Sequence, residues 1–330
     1  MPDPLICEVV RGTMVESRHR VHAMVCDTSG PVKTWGDPDL MFYPRSAIKY
    51  MQSLPLVESG AADAHGLNIA ELALASASHS STETHIHAVA AWLSRLGLDE
   101  RHLRCGPHLP YDEASAHTLL RTGDSPNRLY NNCSGKHTGF LTTALHMHEP
   151  VEGYLDPDHP IQKRLYDILV QLSGQDLADT GRGLDGCGIP VYGMTLTALA
   201  TAAQKLATPT GLGERRGGAV KRILAAAMAE PFMVAGPSRF DTDVMTALAG
   251  KAATKGGAEG VHIAVLPEKG LGIAVKTEDG ERRAGDVAMC WLLSEAGVIN
   301  DKETKRLQAH MRPKVVNAAG DDVGHIRIRK

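Results

Sequence analysis

The sequence predicts an α+β fold, an α/β sandwich in which one antiparallel sheet built from the N- and C-terminal segments packs against helices. Three observations favour it: alternating apolar residues in the first 36 positions, helical periodicity through the middle, and alternation again near the end. The 330 residues contain no linker rich in Pro, Gly or Ser and no internal repeat. We therefore predict a single domain over 1–330, with a helical lobe over 45–250.

The individual elements follow from local patterns along the chain. Apolar alternation on both sides of a Thr-Ser-Gly-Pro turn predicts a hairpin over 20–37, and a Pro-Glu-Lys-Gly turn predicts another over 260–280. The glycine-rich stretch 208–218 lacks the spacing that binds phosphate, and we expect a loop there. A last strand is predicted over 323–330. Helices are predicted near 46–54, 81–98, 134–148, 160–173, 194–206, 215–229, 238–250, 283–296 and 300–311.

Composition and charge exclude several classes of protein. Hydrophobic residues make up 43% of the chain and charged residues 22%, which is typical of a soluble globular protein. A formal net charge of -3 does not favour a surface for nucleic acid or anionic membranes. No apolar run approaches the ~18 residues that span a bilayer, and no signal-peptide pattern is present. We expect a cytoplasmic protein whose six cysteines are reduced.

A Ser-x-x-Lys motif formed by Ser46 and Lys49 lies in the predicted helix 46–54. Residues three apart share one face of a helix, so the amine can reach the hydroxyl. A serine is a poor nucleophile until a base removes its proton, and a desolvated lysine can be neutral and act as that base. The motif alone is also compatible with the ordinary start of an amphipathic helix.

Two later features extend this motif. Ser78 lies beside His79 just before a predicted helix, and Lys255 precedes two glycines at the start of a predicted strand. This order resembles that of the penicillin-recognising serine hydrolases, in which a late strand lies along the site and its glycine lets the backbone approach the substrate. The mid-chain motif of those enzymes is Ser-x-Asn, which the Ser78 segment, Ser-His-Ser, does not match.

The segment "NNCSGKHTGF" (131–140) combines a thiol and an amine, and "GLDGCGIP" (183–190) supplies a second thiol. Cys133, Lys136 and Cys187 could bind a soft divalent ion such as zinc, although zinc sites commonly pair cysteines as Cys-x-x-Cys. A lysine ligand must also lose a proton from an amine whose ordinary pKa is ~10.4. The alternative is two buried cysteines and a surface lysine.

Five segments taken together resemble the rhizobial-type, or class 3, L-asparaginases: "YPRSAIKY", "ASASHSSTETH", "NNCSGKHTGF", "GLDGCGIP" and "KGGAEGVHIAV". The resemblance runs in order from about residue 5 to the end of the chain. It implies a fold similar to serine β-lactamases and penicillin-binding proteins. It also implies hydrolysis of L-asparagine to L-aspartate and ammonia by a homodimer, with a Zn²⁺ ion that strengthens substrate binding.

The resemblance assigns roles to individual residues. Ser46 matches the nucleophile and Lys49 its general base, while Ser78 and Lys255 match a second pair that relays protons; Lys251 is the alternative to Lys255. The implied zinc ligands are Cys133, Lys136 and Cys187, and the implied substrate-binding residues are Arg45, Asp185 and His137.

Two other functions fit the same motifs. One is another serine–lysine amidohydrolase, of the β-lactamase or D-amino-acid amidase type. The Ser78 segment, which does not match Ser-x-Asn, and the Cys–Lys–Cys set both count against it. The other is a catalytically inactive zinc-binding protein of the same fold. The retention of both serine–lysine pairs counts against it.

Overall fold

Strands from the two ends of the chain form the sheet at the centre of the structure, a computed structural model that describes residues 2–329. The strands are β1 (Leu5–Arg11), β2 (Met14–Asp27), β3 (Gly30–Trp35), β4 (Met41–Phe42), β5 (Arg182–Leu184), β6 (Pro190–Tyr192), β7 (Met194–Thr195), β8 (Ala253–Gly256), β9 (Val261–Leu266), β10 (Leu271–Thr277), β11 (Lys314–Val316) and β12 (Asp322–Ile328).

Eight of these strands make one antiparallel sheet, in the order β11-β12-β1-β2-β10-β9-β8, with β3 also paired to β2. The first strand lies between the second and the last, and Val9 is paired with Ile326. The predicted sheet of N- and C-terminal segments is therefore confirmed. The short strands β4 and β7 pair with each other, as do β5 and β6.

Helices fill the rest of the fold and cover both faces of the sheet. They are α1 (Lys49–Gln52), α2 (Leu54–Glu58), α3 (Ala61–Ala64), α4 (Ile69–Ala75), α5 (Glu83–Arg95), α6 (Glu113–Thr122), α7 (Ser134–His146), α8 (Pro160–Ser173), α9 (Leu196–Ala207), α10 (Glu214–Ala229), α11 (Pro231–Ala235), α12 (Phe240–Leu248), α13 (Arg282–Glu295), α14 (Asp301–Arg306) and α15 (Gln308–Met311). No helix in residues 2–329 is long and apolar enough to cross a membrane.

The sheet is buried on both faces, which makes the fold a sandwich. Ile263 and Ala274 belong to the apolar core on the side of α9, whereas their chain neighbours Ala264 and Ile273 belong to the core on the side of α12 and α13. Helix α9 packs on β2, β9 and β10, and α13 packs on β9, β10 and the strands beyond. The predicted fold class is confirmed by this arrangement.

Two local predictions are corrected by the structure. The glycine-rich stretch 208–218 is not all loop, because α10 begins at Glu214. Two glycines in a helix cost about 1 kcal/mol each relative to alanine, but Val220 and Ile223 of the same helix are buried in the core and offset that cost. Lys255 is not at the entry to the first strand of the predicted hairpin. It lies within a separate strand, β8, where it is paired with Ile263 of β9.

Candidate active site

A cavity of about 550 Å³ opens at the edge of the sheet beside β8. It is bounded by the turn before α1, the segment before α7, the β5–β6 hairpin and the segment before α12. Of the ten residues singled out in the sequence, six line it: Arg45, Ser46, Ser78, Cys133, Asp185 and Cys187. Three buried lysines, Lys49, Lys136 and Lys255, lie directly behind this lining.

Ser46 reaches the cavity from a short 3₁₀ turn, Arg45–Ile48, that continues into α1. Arg45 has a φ of 52°, which a non-glycine residue adopts only at a cost in free energy. The turn carries Ser46 at the cavity wall and directs Lys49 into the interior, where its side chain is fully buried. Strain next to a candidate nucleophile is a common property of catalytic sites.

The Ser78 hydroxyl lies between two buried amines. Lys49 Nζ and Lys255 Nζ each lie 2.9 Å from Ser78 Oγ. Lys49 Nζ also donates to the Ala77 carbonyl and to Cys133 Sγ, 3.0 Å away. The Lys49 amine thus has three partners within hydrogen-bond distance, and its motif partner Ser46 is not among them. Ser78 therefore lies between the lysines of the two predicted pairs.

Lys255 differs from an ordinary lysine in its protonation. Burial lowers its pKa to about 7, and the nearby positive charge of Lys49 acts in the same direction. The Asp241 carboxylate, 3.9 Å from Lys255 Nζ, opposes both effects. The alternative residue Lys251 lies elsewhere, at 2.9 Å from Glu303. Near neutral pH, Lys255 is therefore able to exchange a proton with Ser78.

Two thiols and an amine lie next to this relay, since Cys133 contacts Lys49. Lys136 Nζ lies 3.1 Å from Cys187 Sγ, and Cys133 is close enough to donate a hydrogen bond to the same sulfur. That hydrogen bond and the Lys136 charge lower the pKa of Cys187 well below its ordinary value. The two sulfurs are donors that zinc accepts. Although burial opposes it, the charges of Cys187 and Cys133 raise the pKa of Lys136, so its amine fits such an ion only after the metal has displaced a proton. Within residues 2–329 no cluster of three or more His, Cys, Asp or Glu forms a further metal site.

Arg45 and Asp185 form an ion pair at the cavity wall, with 2.6 Å between Arg45 Nε and Asp185 Oδ1. Although burial favours the neutral acid, Lys136 and Arg45 together lower the pKa of Asp185, which is therefore a carboxylate at neutral pH. The structure places His137 differently. Its ring is buried within α7, 2.7 Å from the Tyr154 hydroxyl, and does not line the cavity.

Several residues of the cavity were not singled out in the sequence. Arg239 enters it from the segment between α11 and α12, and Asp241 enters it from the first turn of α12. Gly257 follows β8 and packs so closely on the Ser46 turn that a Cβ atom would lie 3.0 Å from the Pro44 carbonyl oxygen. In the sequence, only the Lys-Gly-Gly motif at 255–257 indicated that Gly257 would approach another backbone segment closely. Arg239 and Asp241 carry no recognisable motif.

The fold and the cavity define a hydrolase-like site rich in serine and lysine, and comparison with known proteins identifies the family. A family model described as L-asparaginase II matches residues 7–328. The chain therefore belongs to the L-asparaginase II family, a family of amidohydrolases, and the resemblance seen in the sequence is confirmed. No curated protein matches the chain in the search of such proteins.

Solved structures similar to this chain are distant in sequence. Mglu in its native form is 17% identical, with a TM-score of 0.47, over 85% of this chain and 65% of that chain. A beta-lactamase from Sphaerobacter thermophilus is 16% identical, with a TM-score of 0.39, over 88% and 92% of the two chains. A beta-lactamase from Mycobacterium bovis is 16% identical, with a TM-score of 0.38, over 84% and 95%. The chain thus spans slightly less than two thirds of the Mglu chain.

Proposed function

We propose that this protein is an L-asparaginase that hydrolyses L-asparagine to L-aspartate and ammonia through an acyl-enzyme. Membership of the L-asparaginase II family supports the substrate class. The single observation that carries the mechanism is the Ser78 hydroxyl held 2.9 Å from each of two buried lysine amines, beside a cavity lined by a second serine. Buried amines of this kind supply the base that an acyl-transfer serine needs.

In the proposed reaction, Ser46 Oγ attacks the side-chain amide carbon and its proton passes to Lys49. Because Lys49 and Lys255 both contact Ser78 Oγ, a proton can move from one amine to the other through that hydroxyl. The amide nitrogen takes up this proton and leaves as ammonia when its bond to the carbonyl carbon breaks; water then hydrolyses the β-aspartyl ester, which releases L-aspartate and restores the Ser46 hydroxyl. The two pairs therefore act as one relay.

We propose that Cys133, Lys136 and Cys187 hold a Zn²⁺ ion that strengthens substrate binding. When bound, such an ion supplies a Lewis acid that can polarise an oxygen atom of the substrate. The proton relay through Ser78 adjoins this set, because Lys49 contacts both Cys133 and Ser78, and the relay itself is formed by protein groups alone.

We also propose that the protein acts in the cytoplasm as a homodimer, as the family resemblance implies. Light scattering in solution should then give twice the 35.3 kDa mass of one chain. A mass of one chain at micromolar concentration would contradict the dimer without affecting the proposed reaction.

The first experiment measures ammonia release from L-asparagine by the parent protein and by Ser46→Ala, with Ser125→Ala, an exposed serine, as the matched control. We expect Ser46→Ala to lose activity by a factor of about 10⁴ or more, as in other enzymes that lose a nucleophile, and Ser125→Ala to retain it. Parent protein that releases no ammonia would refute the proposed function.

The role of each serine can be separated by mass spectrometry of the trapped acyl-enzyme. Modification of Ser46 would support the assignment, whereas modification of Ser78, which has the closer lysine contacts, would reverse the two roles. Nitrocefin hydrolysis tests the β-lactamase alternative. We expect none above the rate in buffer.

A further inference from the structure

The cationic side chains of the cavity differ in whether a carboxylate already neutralises them. Arg45 is paired with Asp185 at 2.6 Å, and Arg282 with Asp286 at 3.6 Å. Arg239 has no ion pair with any of residues 2–329. Its Nε is buried and has no hydrogen-bond partner, although it lies in a cavity wall. A buried guanidinium N–H without an acceptor costs free energy unless a ligand supplies one.

The surroundings of Arg239 favour an anionic ligand. Burial and then repulsion by the charge of Arg282, which lines the same cavity, lower the pKa of Arg239, while the Asp241 and Asp286 carboxylates act in the opposite direction. The Tyr111 ring lies 5.6 Å from the Arg239 guanidinium carbon and restricts its orientation. An anion between the two arginines would relieve the repulsion and satisfy the free N–H groups.

Two residues with positive φ angles precede Arg239 and direct it towards the cavity. Gly236 has a φ of 104°, and a Cβ atom there would lie 2.7 Å from the side chain of Ser80. Ser238 has a φ of 54°, in the left-handed region. These two residues turn the chain sharply between α11 and α12, so that Arg239 and Asp241 both face the cavity.

We propose that Arg239, assisted by Arg282, binds the α-carboxylate of the amino-acid substrate and makes the site selective for free amino acids over α-amides and peptides. This inference rests on the proposed function, because it assigns one end of that substrate. The Asp185 carboxylate, which is positioned by its ion pair with Arg45, then binds the α-ammonium group of the substrate. Arg45 is already neutralised by Asp185 and contributes to the carboxylate site only through it.

The test compares the parent protein with Arg239→Gln, Arg239→Lys and the exposed control Arg215→Gln. We measure KM and kcat for L-asparagine and for its α-carboxamide, following the products by chromatography, and the Kd of L-aspartate by calorimetry. Arg239→Gln should raise KM and the L-aspartate Kd by about 10- to 100-fold, with a smaller change in kcat. It should also lose the parent's preference for the free carboxylate, Arg239→Lys should recover part of it, and Arg215→Gln should change neither.

The outcomes separate this inference from the proposed function. If the parent hydrolyses L-asparagine but Arg239→Gln has the same KM and the same preference, the carboxylate assignment is wrong and the function stands. If the parent binds L-aspartate through Arg239 but releases no ammonia, the assignment stands and the function fails. A parent that neither turns over L-asparagine nor binds L-aspartate would overturn both.

Discussion

Lys255 shows how one buried residue gains a reactive protonation state. Its amine is buried among Ser78, Lys49 and Asp241, so desolvation favours the neutral form while the carboxylate favours the charged one. The balance lowers its pKa to about 7, from an ordinary lysine value of 10.5. The neutral amine therefore predominates above about pH 7, and the ammonium form predominates below it.

We predict that kcat/KM falls about tenfold per pH unit below pH 7, because the relay needs Lys255 as a neutral base.

In Asp241→Asn the carboxylate that raises the pKa of Lys255 is lost, so the pKa of Lys255 falls further and the acid limb of the kcat/KM profile moves to lower pH by about one unit. The control is Asp243→Asn on the same helix, whose carboxylate faces His310 instead. Profiles of kcat/KM between pH 5 and 9 measure both effects; a profile that stays level down to pH 5 contradicts the role of Lys255.

Cys187 gives a second prediction at the same scale. Zinc should raise the melting temperature of the parent protein, because an ion present at 100 times its Kd stabilises the folded state by about 2.7 kcal/mol. Cys187→Ser, which removes the favoured thiolate, should lose most of this increase. Mg²⁺ is the control ion, since it prefers oxygen ligands. Equal stabilisation of both proteins by zinc would place the ion elsewhere.

At the scale of elements, the site depends on how closely β8 approaches the turn that carries Ser46. The approach is possible because Gly257 has no side chain: a Cβ atom would lie 3.0 Å from the Pro44 carbonyl oxygen and 3.1 Å from the Ala47 nitrogen. Both neighbours are backbone atoms, which cannot rotate away as a side chain could.

We predict that Gly257→Ala lowers kcat at least tenfold and destabilises the protein by about 1–3 kcal/mol, the usual cost of overpacking. Gly218→Ala is the matched control, since a Cβ atom at that position meets nothing within 4 Å in helix α10. The control should stabilise the protein by about 0.5–1 kcal/mol. Urea denaturation and steady-state kinetics measure both, and normal kcat in Gly257→Ala would show that the contact is dispensable.

The elements themselves were largely predictable from sequence, and their junctions were not. Helix α8 over 160–173 and the hairpin of β9 and β10 were predicted because a single period persists through each of them. Strand β8 is only four residues long, and short helices such as α4 carry too few residues for a period to appear. The lysines of the site were found through motif and family resemblance, whereas Arg239 and Asp241 follow from a backbone turn that has no sequence signature.

At the scale of the whole molecule, the two faces of the sheet differ in whether their apolar core is continuous with the candidate active site. The face under α9 is continuous with the core that includes Cys133 and Cys187, whereas the face under α12 and α13 forms a separate apolar cluster. Ile273 belongs to that second cluster and is fully buried. Damage to this face should therefore reduce stability and leave the chemistry largely unchanged.

We predict that Ile273→Ala lowers the free energy of unfolding by about 2–5 kcal/mol, the usual cost of a cavity in a core, while KM for L-asparagine at 25 °C changes less than twofold. The control is Val32→Ala at an exposed position, which should change stability by no more than about 0.5 kcal/mol. An Ile273→Ala protein that folds well but has a greatly raised KM would show that the two faces are coupled.

The position of the sheet strands along the chain also determines the order in which the protein can mature on the ribosome. Strands β1 and β2 are synthesised first, but β10 and β12, which flank them, emerge more than 240 residues later. At a synthesis rate of ~5–20 residues per second, the edges of β1 and β2 that pair with β12 and β10 remain unpaired for roughly ten seconds or longer. Likewise, Lys255, which contacts the Ser78 hydroxyl, is synthesised 177 residues after Ser78. A nascent chain thus has no complete proton relay until most of it has been made, and its early strands need shielding by chaperones during that time.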